Sequence, residues 1–118
     1  MTRFDFSPSF RRMLDFALHM GLVDGVEVAA LTAGAVAAHA HRPNLVHNIE
    51  LAIGLEIDEA ADARMHSEPE IRRIWFDVRA RCKAIAFEGE RTGGAGIDTF
   101  RRDEGLCRLW RDAQIECW

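Results

Sequence analysis

Apolar residues recur at helical spacing along nearly the whole chain, and this spacing restricts the fold more than any other feature. The segments with helical spacing leave no stretch of the chain for strands with period-two alternation. The clearest stripes are Phe10, Met13, Leu14 and Ala17 in the first quarter of the chain, and Ile71, Ile74, Trp75, Val78, Cys82 and Ile85 in the third. The spacing predicts an all-α protein.

Helix-capping residues divide the first half of the chain. Ser7 before Pro8 is typical of a helix start, and Gly21 is typical of a helix end. Helix 1 therefore runs to about Met20, with Arg12 expected on its polar face. Asp24 predicts the start of helix 2, which is apolar on nearly every side and is expected to end before Pro43.

Similar signals divide the second half. Asn44 predicts the start of helix 3, which is expected to extend to His66. Ser67 and Glu70 form a capping box that predicts the start of helix 4, and Gly89 predicts its end. A fifth helix is expected from about Asp98 almost to the chain end.

Length and composition agree with one globular domain. The 118 residues are 48% hydrophobic and 29% charged, as in folded proteins that need no structural metal. We therefore expect a single all-α domain over residues 1–118. Its predicted architecture is a compact bundle of about five helices, with helices 2 and 3 central and helices 1, 4 and 5 packed around them. The net charge of −4 does not favour nucleic acid as a partner.

Cysteine usage and the N-terminal sequence point to a cytoplasmic protein. The three cysteines, Cys82, Cys107 and Cys117, lack metal-ligand spacing and are interpreted as reduced thiols. No secretory signal or span long enough for a membrane is recognised. Lys83 is the only lysine and tyrosine is absent, which suggests a bacterial or phage genome rich in G and C.

Helix 3 concentrates most of the candidate chemistry. Glu56 falls within a predicted apolar arc, formed by Leu45, Ile49, Ala52, Ile53, Ala60 and Ala63, whereas Asp58 points to the opposite side. A carboxylate buried in such an arc needs an arginine, a cation or a proton. An ion pair with an arginine of helix 4 and a metal site are the two alternatives.

The segment 48–62, with sequence NIELAIGLEIDEAAD, resembles the first metal-binding helix of the all-α MazG-type nucleotide pyrophosphohydrolases. The resemblance covers about an eighth of the chain. It implies that Glu56 and Glu59, as an E-x-x-E pair, hold Mg²⁺ against a nucleoside triphosphate. The family also has E-x-x-D on the following helix, where this chain reads EIRRIWFD from Glu70 to Asp77.

Three histidines near Pro43 form a second candidate site. His39, His41 and His47 could bind a transition metal together with Glu50, one turn after His47. The alternative for His39 and His41 is a favourable interaction with the carbonyl groups at the end of helix 2.

These features contain no complete set of catalytic residues. The sequence therefore favours a small protein-binding or regulatory module, of adaptor or inhibitor type, over an enzyme. The alternative is the metal-dependent pyrophosphohydrolase. The expected partner is another protein or a second copy of the chain. A homodimer is predicted from apolar residues of helices 1 and 5, unless these helices cover one another: Phe4, Phe6, Phe10, Phe16, Leu106, Leu109, Trp110, Ala113, Cys117 and Trp118.

Overall fold

A computed structural model describes residues 5–117, and these contain six helices and no strand. The helices are α1 (Pro8–His19), α2 (Gly25–His39), α3 (Leu45–Asp62), α4 (Pro69–Glu90), α5 (Ile97–Arg102) and α6 (Glu104–Asp112). The predicted compact all-α bundle is confirmed, and α2 and α3 form its most extensive helix pair.

No helix between residues 5 and 117 combines the length and the apolar character that crossing a bilayer requires.

The ends of α1 follow the sequence prediction. The Ser7 hydroxyl accepts a hydrogen bond from the Phe10 amide at 3.3 Å, as an N-cap should. Gly21 has φ of +69°, and Leu22 donates its amide proton to the Ala17 carbonyl at 2.9 Å. This is a Schellman motif, in which glycine occupies the left-handed position without steric cost.

Asp24 also caps α2 as predicted. Its carboxylate accepts from the Glu27 amide at 2.8 Å, while the Glu27 carboxylate accepts from the Asp24 amide at 3.2 Å. The two residues therefore form a reciprocal capping box. The chain direction at the α1–α2 corner follows from these local signals.

The boundary between α3 and α4 differs from the prediction. Helix α3 ends at Asp62, not at His66, and the N-cap of α4 is Glu68, which makes no side-chain capping bond. The predicted Ser67–Glu70 capping box is therefore wrong. Arg64 gives the reason, because its guanidinium donates to the Met20 and Gly21 carbonyls at 3.1 and 3.0 Å. These tertiary bonds hold the segment after Asp62 against the end of α1.

The predicted fifth helix is divided into α5 and α6. Asp103 interrupts it with an extended backbone, φ −65° and ψ 121°. Its carboxylate accepts from the Leu106 amide at 2.9 Å and forms an ion pair with Arg81 of α4 at 2.6 Å. The break therefore places one side chain where it both caps α6 and joins it to α4.

Gly89 lies inside the last turn of α4 and does not end it. A β-carbon at Gly89 would stand 2.7 Å from the Ala95 β-carbon, too close for any other residue. The glycine is buried and lets the loop after Glu90 fold back onto α4. The predicted helix end at Gly89 is thus one residue early. The role of Gly89 is to allow close packing of the loop against α4.

Most of the core lies between α1, α4, α5, α6 and one side of α3. Phe16 of α1 stacks against Trp75 of α4 with ring centroids 6.4 Å apart, and meets the Trp110 ring of α6 edge-on at 5.1 Å. From α3, one row of side chains is completely buried: Ile49, Ile53, Ile57 and Ala61. These helices form the packed body of the protein.

Candidate protein interaction surface

The two glutamates of the predicted metal pair lie at the surface. Glu56 and Glu59 are both exposed, so the prediction that Glu56 is buried is wrong. The buried row of α3 includes Ile57 and Ala61, and its centre is about 80° from Glu56 at 100° per residue. The sequence interpretation placed the arc elsewhere because it counted alanines that the fold leaves partly or fully exposed, such as Ala63.

Asp58 and Asp62 are the carboxylates of α3 that pair with arginines of α4. Asp58 accepts a hydrogen bond from the Trp75 indole nitrogen at 2.9 Å and lies 3.5 Å from the Arg79 guanidinium. Asp62 accepts a hydrogen bond from Nε of Arg72 at 2.9 Å. An ion pair between helices 3 and 4 therefore exists, but not at the predicted residue. A signal was present, because a buried tryptophan usually finds an acceptor for its N–H group.

Glu50 and the histidines do not converge. Glu50 accepts hydrogen bonds from the Ser7 amide at 2.9 Å and the Ser7 hydroxyl at 3.1 Å, joining α3 to the start of α1. His41 and His47 are exposed, and His39 is half-buried, with no hydrogen-bond partner for Nδ1 in the part of the chain that the structure describes. Within residues 5–117, no three or more His, Cys, Asp or Glu side chains form a group able to hold a metal ion.

Two cysteines are joined in the structure. Cys107 of α6 and Cys117 of the C-terminal segment form a disulfide, which corrects the interpretation of both as reduced thiols. Gln114 has φ of +63°, and the Ile115 amide donates to the Trp110 carbonyl at 3.0 Å, so the chain turns back on α6. A sequence separation of ten does not reveal this turn. Cys82 is free and buried, and burial raises its thiol pKa to about 12.

Arg12 is buried beneath this returning segment. Its side chain is 2% exposed, although the sequence placed it on the polar face of helix 1. The guanidinium carbon lies 4.1 Å from the centre of the Trp110 ring, and Nη2 is 3.6 Å from the Cys117 sulfur. The Asp15 carboxylate lies 3.9 Å from Nη1 of Arg12, and Nε of Arg12 has no hydrogen-bond partner among residues 5–117. Desolvation by burial lowers the Arg12 pKa.

The apolar residues that were expected to form a dimer interface pack inside the protomer instead. Among them, Phe10, Phe16, Leu106, Trp110 and Ala113 are buried. The alternative, in which the first and last helices cover one another, therefore describes this region. Phe4 and Trp118 lie outside the described residues.

A different apolar surface is exposed, on α2. This helix carries mostly Val, Ala and Leu, yet Ala35 is its only buried residue. Around the helix, five uncharged residues lie on the side away from Ala35 and are exposed: Val26, Ala30, Ala33, Gly34 and Ala37. We call these five the outer α2 surface. Val26 is 80% exposed, an unusual setting for a large aliphatic side chain.

Helix α3 adds to the exposed apolar area. Leu51 and Leu55, one turn apart, are 51% and 62% exposed. Together with Val26 and Val46, they account for four of the seven large hydrophobic residues that are exposed between residues 5 and 117. The α2–α3 pair therefore carries more than half of these side chains, although the body contains most of the core.

The charges around the outer α2 surface are separated by sign. Asp24 and Glu27 lie at the start of α2, while His41 and Arg42 follow its end. Asp24, Glu27 and Arg42 form no ion pair with any residue from 5 to 117. The unpaired carbonyl groups at the end of α2 contribute a negative potential there. The basic residues that follow this end partly offset that potential.

A shallow cleft lies on the body between the end of α4 and the start of α5. It has a volume of about 390 Å³, and its lining includes Arg81, Thr92, Thr99 and Asp103. Of the charged residues that line it, Arg81 and Asp103 bind each other, and this pairing lowers the Asp103 pKa. Glu88 is the one charged residue of the cleft without an ion pair among residues 5–117.

Compared with known proteins, the chain matches no protein-family model, no curated protein and no solved structure.

Proposed function

We propose that the chain is a protein-binding module of regulatory or adaptor type, and that it binds through the outer α2 surface. The observation that carries the proposal is a helix with core-like composition that buries only Ala35. Polar residues normally occupy the exposed side of a surface helix, whereas the outer α2 surface has no charged side chain.

Contact between this surface and water is energetically unfavourable. Burying apolar area contributes about 25 cal/mol per Å². Extended exposed apolar patches are typical of protein or membrane contacts and of ligand-binding grooves. The small residues at Ala30, Ala33, Gly34 and Ala37 would let a partner helix approach closely. The surface thus suits a helical partner that lies along α2.

Site-specific photo-crosslinking tests the proposal. A photoreactive amino acid placed at Ala33 or Ala37 should crosslink efficiently in cells that express the chain. The matched control is the same amino acid at Ala80, an exposed alanine of α4. Ala30→Glu should abolish the crosslink from Ala37, because it places a carboxylate in the apolar contact. Equal crosslinking from Ala37 and Ala80, or no effect of Ala30→Glu, would contradict the proposal.

A further inference from the structure

The distribution of charge around α2 suggests what covers it. Acidic residues, Asp24 and Glu27, lie at one end, and the basic residue Arg42 lies beyond the other. Between Glu27 and His39, α2 has no charged side chain, and this stretch, residues 28–38, is about 16 Å long at 1.5 Å per residue. A helix of this kind is complementary to itself when turned end for end.

We infer that a second copy of the chain packs on the outer α2 surface, with the two α2 helices antiparallel about a two-fold axis. This inference rests on the proposed function and names the partner. The axis passes near Ala30 and Ala33, so that Val26 of one protomer lies near Ala37 of its partner. The acidic start of each helix then faces the basic end of the other.

A two-fold arrangement accounts for both the exposed apolar residues and the opposite charges at the ends of α2 with a single surface. It covers the exposed apolar residues of both chains at once, and a closed dimer leaves no second copy of the surface free. A parallel pair would instead place the acidic ends together and the basic ends together, which is repulsive. Charge complementarity therefore selects the antiparallel arrangement.

The expected affinity is modest. One helix pair of about 22 Å buries less than the roughly 800 Å² per partner of a typical stable interface. We therefore expect a dissociation constant in the micromolar range, with faster exchange than in an obligate dimer. The dimer should weaken as salt increases, since the charged ends are exposed and screened.

Sedimentation equilibrium of the purified chain is the first test. The average mass should rise with concentration from 13.3 kDa towards twice that value. Ala33→Glu should keep the protein at one chain mass, whereas the control Ala80→Glu should behave as wild type. At low salt, Arg42→Glu should raise the dissociation constant about tenfold, while Arg108→Glu, with the same charge change on α6, should have little effect.

Cysteine crosslinking tests the direction of the helices. A mixture of Val26→Cys and Ala37→Cys chains should form an intermolecular disulfide, whereas Val26→Cys alone should not. In the antiparallel dimer, the two copies of residue 26 are about 16 Å apart along the helix. Efficient crosslinking of Val26→Cys with itself would indicate parallel helices and overturn the inference.

The outcomes also separate this inference from the proposed function. A wild-type chain of 13.3 kDa at all concentrations would overturn the dimer. If photo-crosslinks from Ala33 to a different protein persisted in that case, the protein-binding function would stand with another partner. If neither the dimer nor the photo-crosslinks were observed, both the proposed function and the inferred dimer would be contradicted.

Discussion

Helices α1 and α2 are adjacent in the chain and differ in where their apolar residues lie. Helix α1 is amphipathic and buries Phe10, Phe16 and Ala17 in the body. Helix α2 is more apolar overall but buries only Ala35. Total hydrophobicity therefore does not decide which helix is buried. Phenylalanine brings far more area per residue than alanine or valine, so the fold gains most by enclosing the aromatic stripe.

The largest effect should come from the aromatic centre of the body. Trp110→Ala removes the edge-on contact with Phe16 and the ring beneath Arg12. We expect the free energy of unfolding to fall by about 3–5 kcal/mol, as for other buried aromatic residues cut to alanine. Urea denaturation measures this change.

Val26→Ala on α2 is the matched comparison. It also removes apolar atoms, but from a side chain that is 80% exposed. At protein concentrations below the dimer range, the change should stay within about 0.5 kcal/mol. If Val26→Ala lowered the free energy of unfolding as much as Trp110→Ala, the distinction between the body and the outer α2 surface would be contradicted.

The disulfide should rank second. Joining Cys107 and Cys117 restricts the unfolded chain through a short loop, which typically stabilises by about 2–3 kcal/mol. Denaturation of the Cys107→Ser/Cys117→Ser variant should show this loss, and a reducing agent should reproduce it in the wild type but not in the variant. Equal stability of the oxidised wild type and the double variant would contradict the expectation.

Asp103 should have an intermediate effect, because it caps α6 and pairs with Arg81. Asp103→Ala should cost about 1–2 kcal/mol, mainly from the lost cap. Asp103→Asn keeps a good capping residue and loses only the partly exposed ion pair, so it should cost less than about 1 kcal/mol. Thermal unfolding of both variants distinguishes the two contributions.

The same residue predicts a pH dependence. The hydrogen bond from Arg81 lowers the Asp103 pKa below its ordinary value of 3.8. A lowered carboxyl pKa contributes stability that is complete above the unfolded pKa and is lost as the pH falls through the folded value. Between pH 5 and pH 2, wild type should therefore lose more stability than Asp103→Asn. Identical pH profiles would show that the ion pair contributes nothing.

The smallest effect is expected at Glu56. Because the side chain is exposed, Glu56→Ala should change the free energy of unfolding by less than about 0.5 kcal/mol. The pyrophosphohydrolase alternative stays a prediction. It requires Mg²⁺ or Mn²⁺ to raise the melting temperature of wild type but not of Glu56→Ala/Glu59→Ala. We expect no such difference, and a metal-dependent shift confined to wild type would favour the enzyme.

Prediction from sequence worked where a few neighbouring residues determine the outcome. Ser7 and Asp24 cap their helices, and Gly21 ends one, because each acts on backbone groups within four residues. The fold class follows from the same local periodicity. Prediction failed where partners are distant in the chain: Arg64 bonds to carbonyls 43 and 44 residues away, and Asp103 breaks a helix while paired with Arg81.

The outer α2 surface likewise has some properties that depend on adjacent residues and others that depend on distant contacts. Adjacent residues make α2 uncharged along most of its length and place opposite charges at its two ends, so both properties can be predicted from the sequence. The enclosure of the aromatic stripe of the first and last helices and the exposure of α2 depend instead on packing between distant parts of the chain. These side chains compete for the interior. A chain of this size encloses a limited number of side chains, and large aromatic rings displace alanines from it.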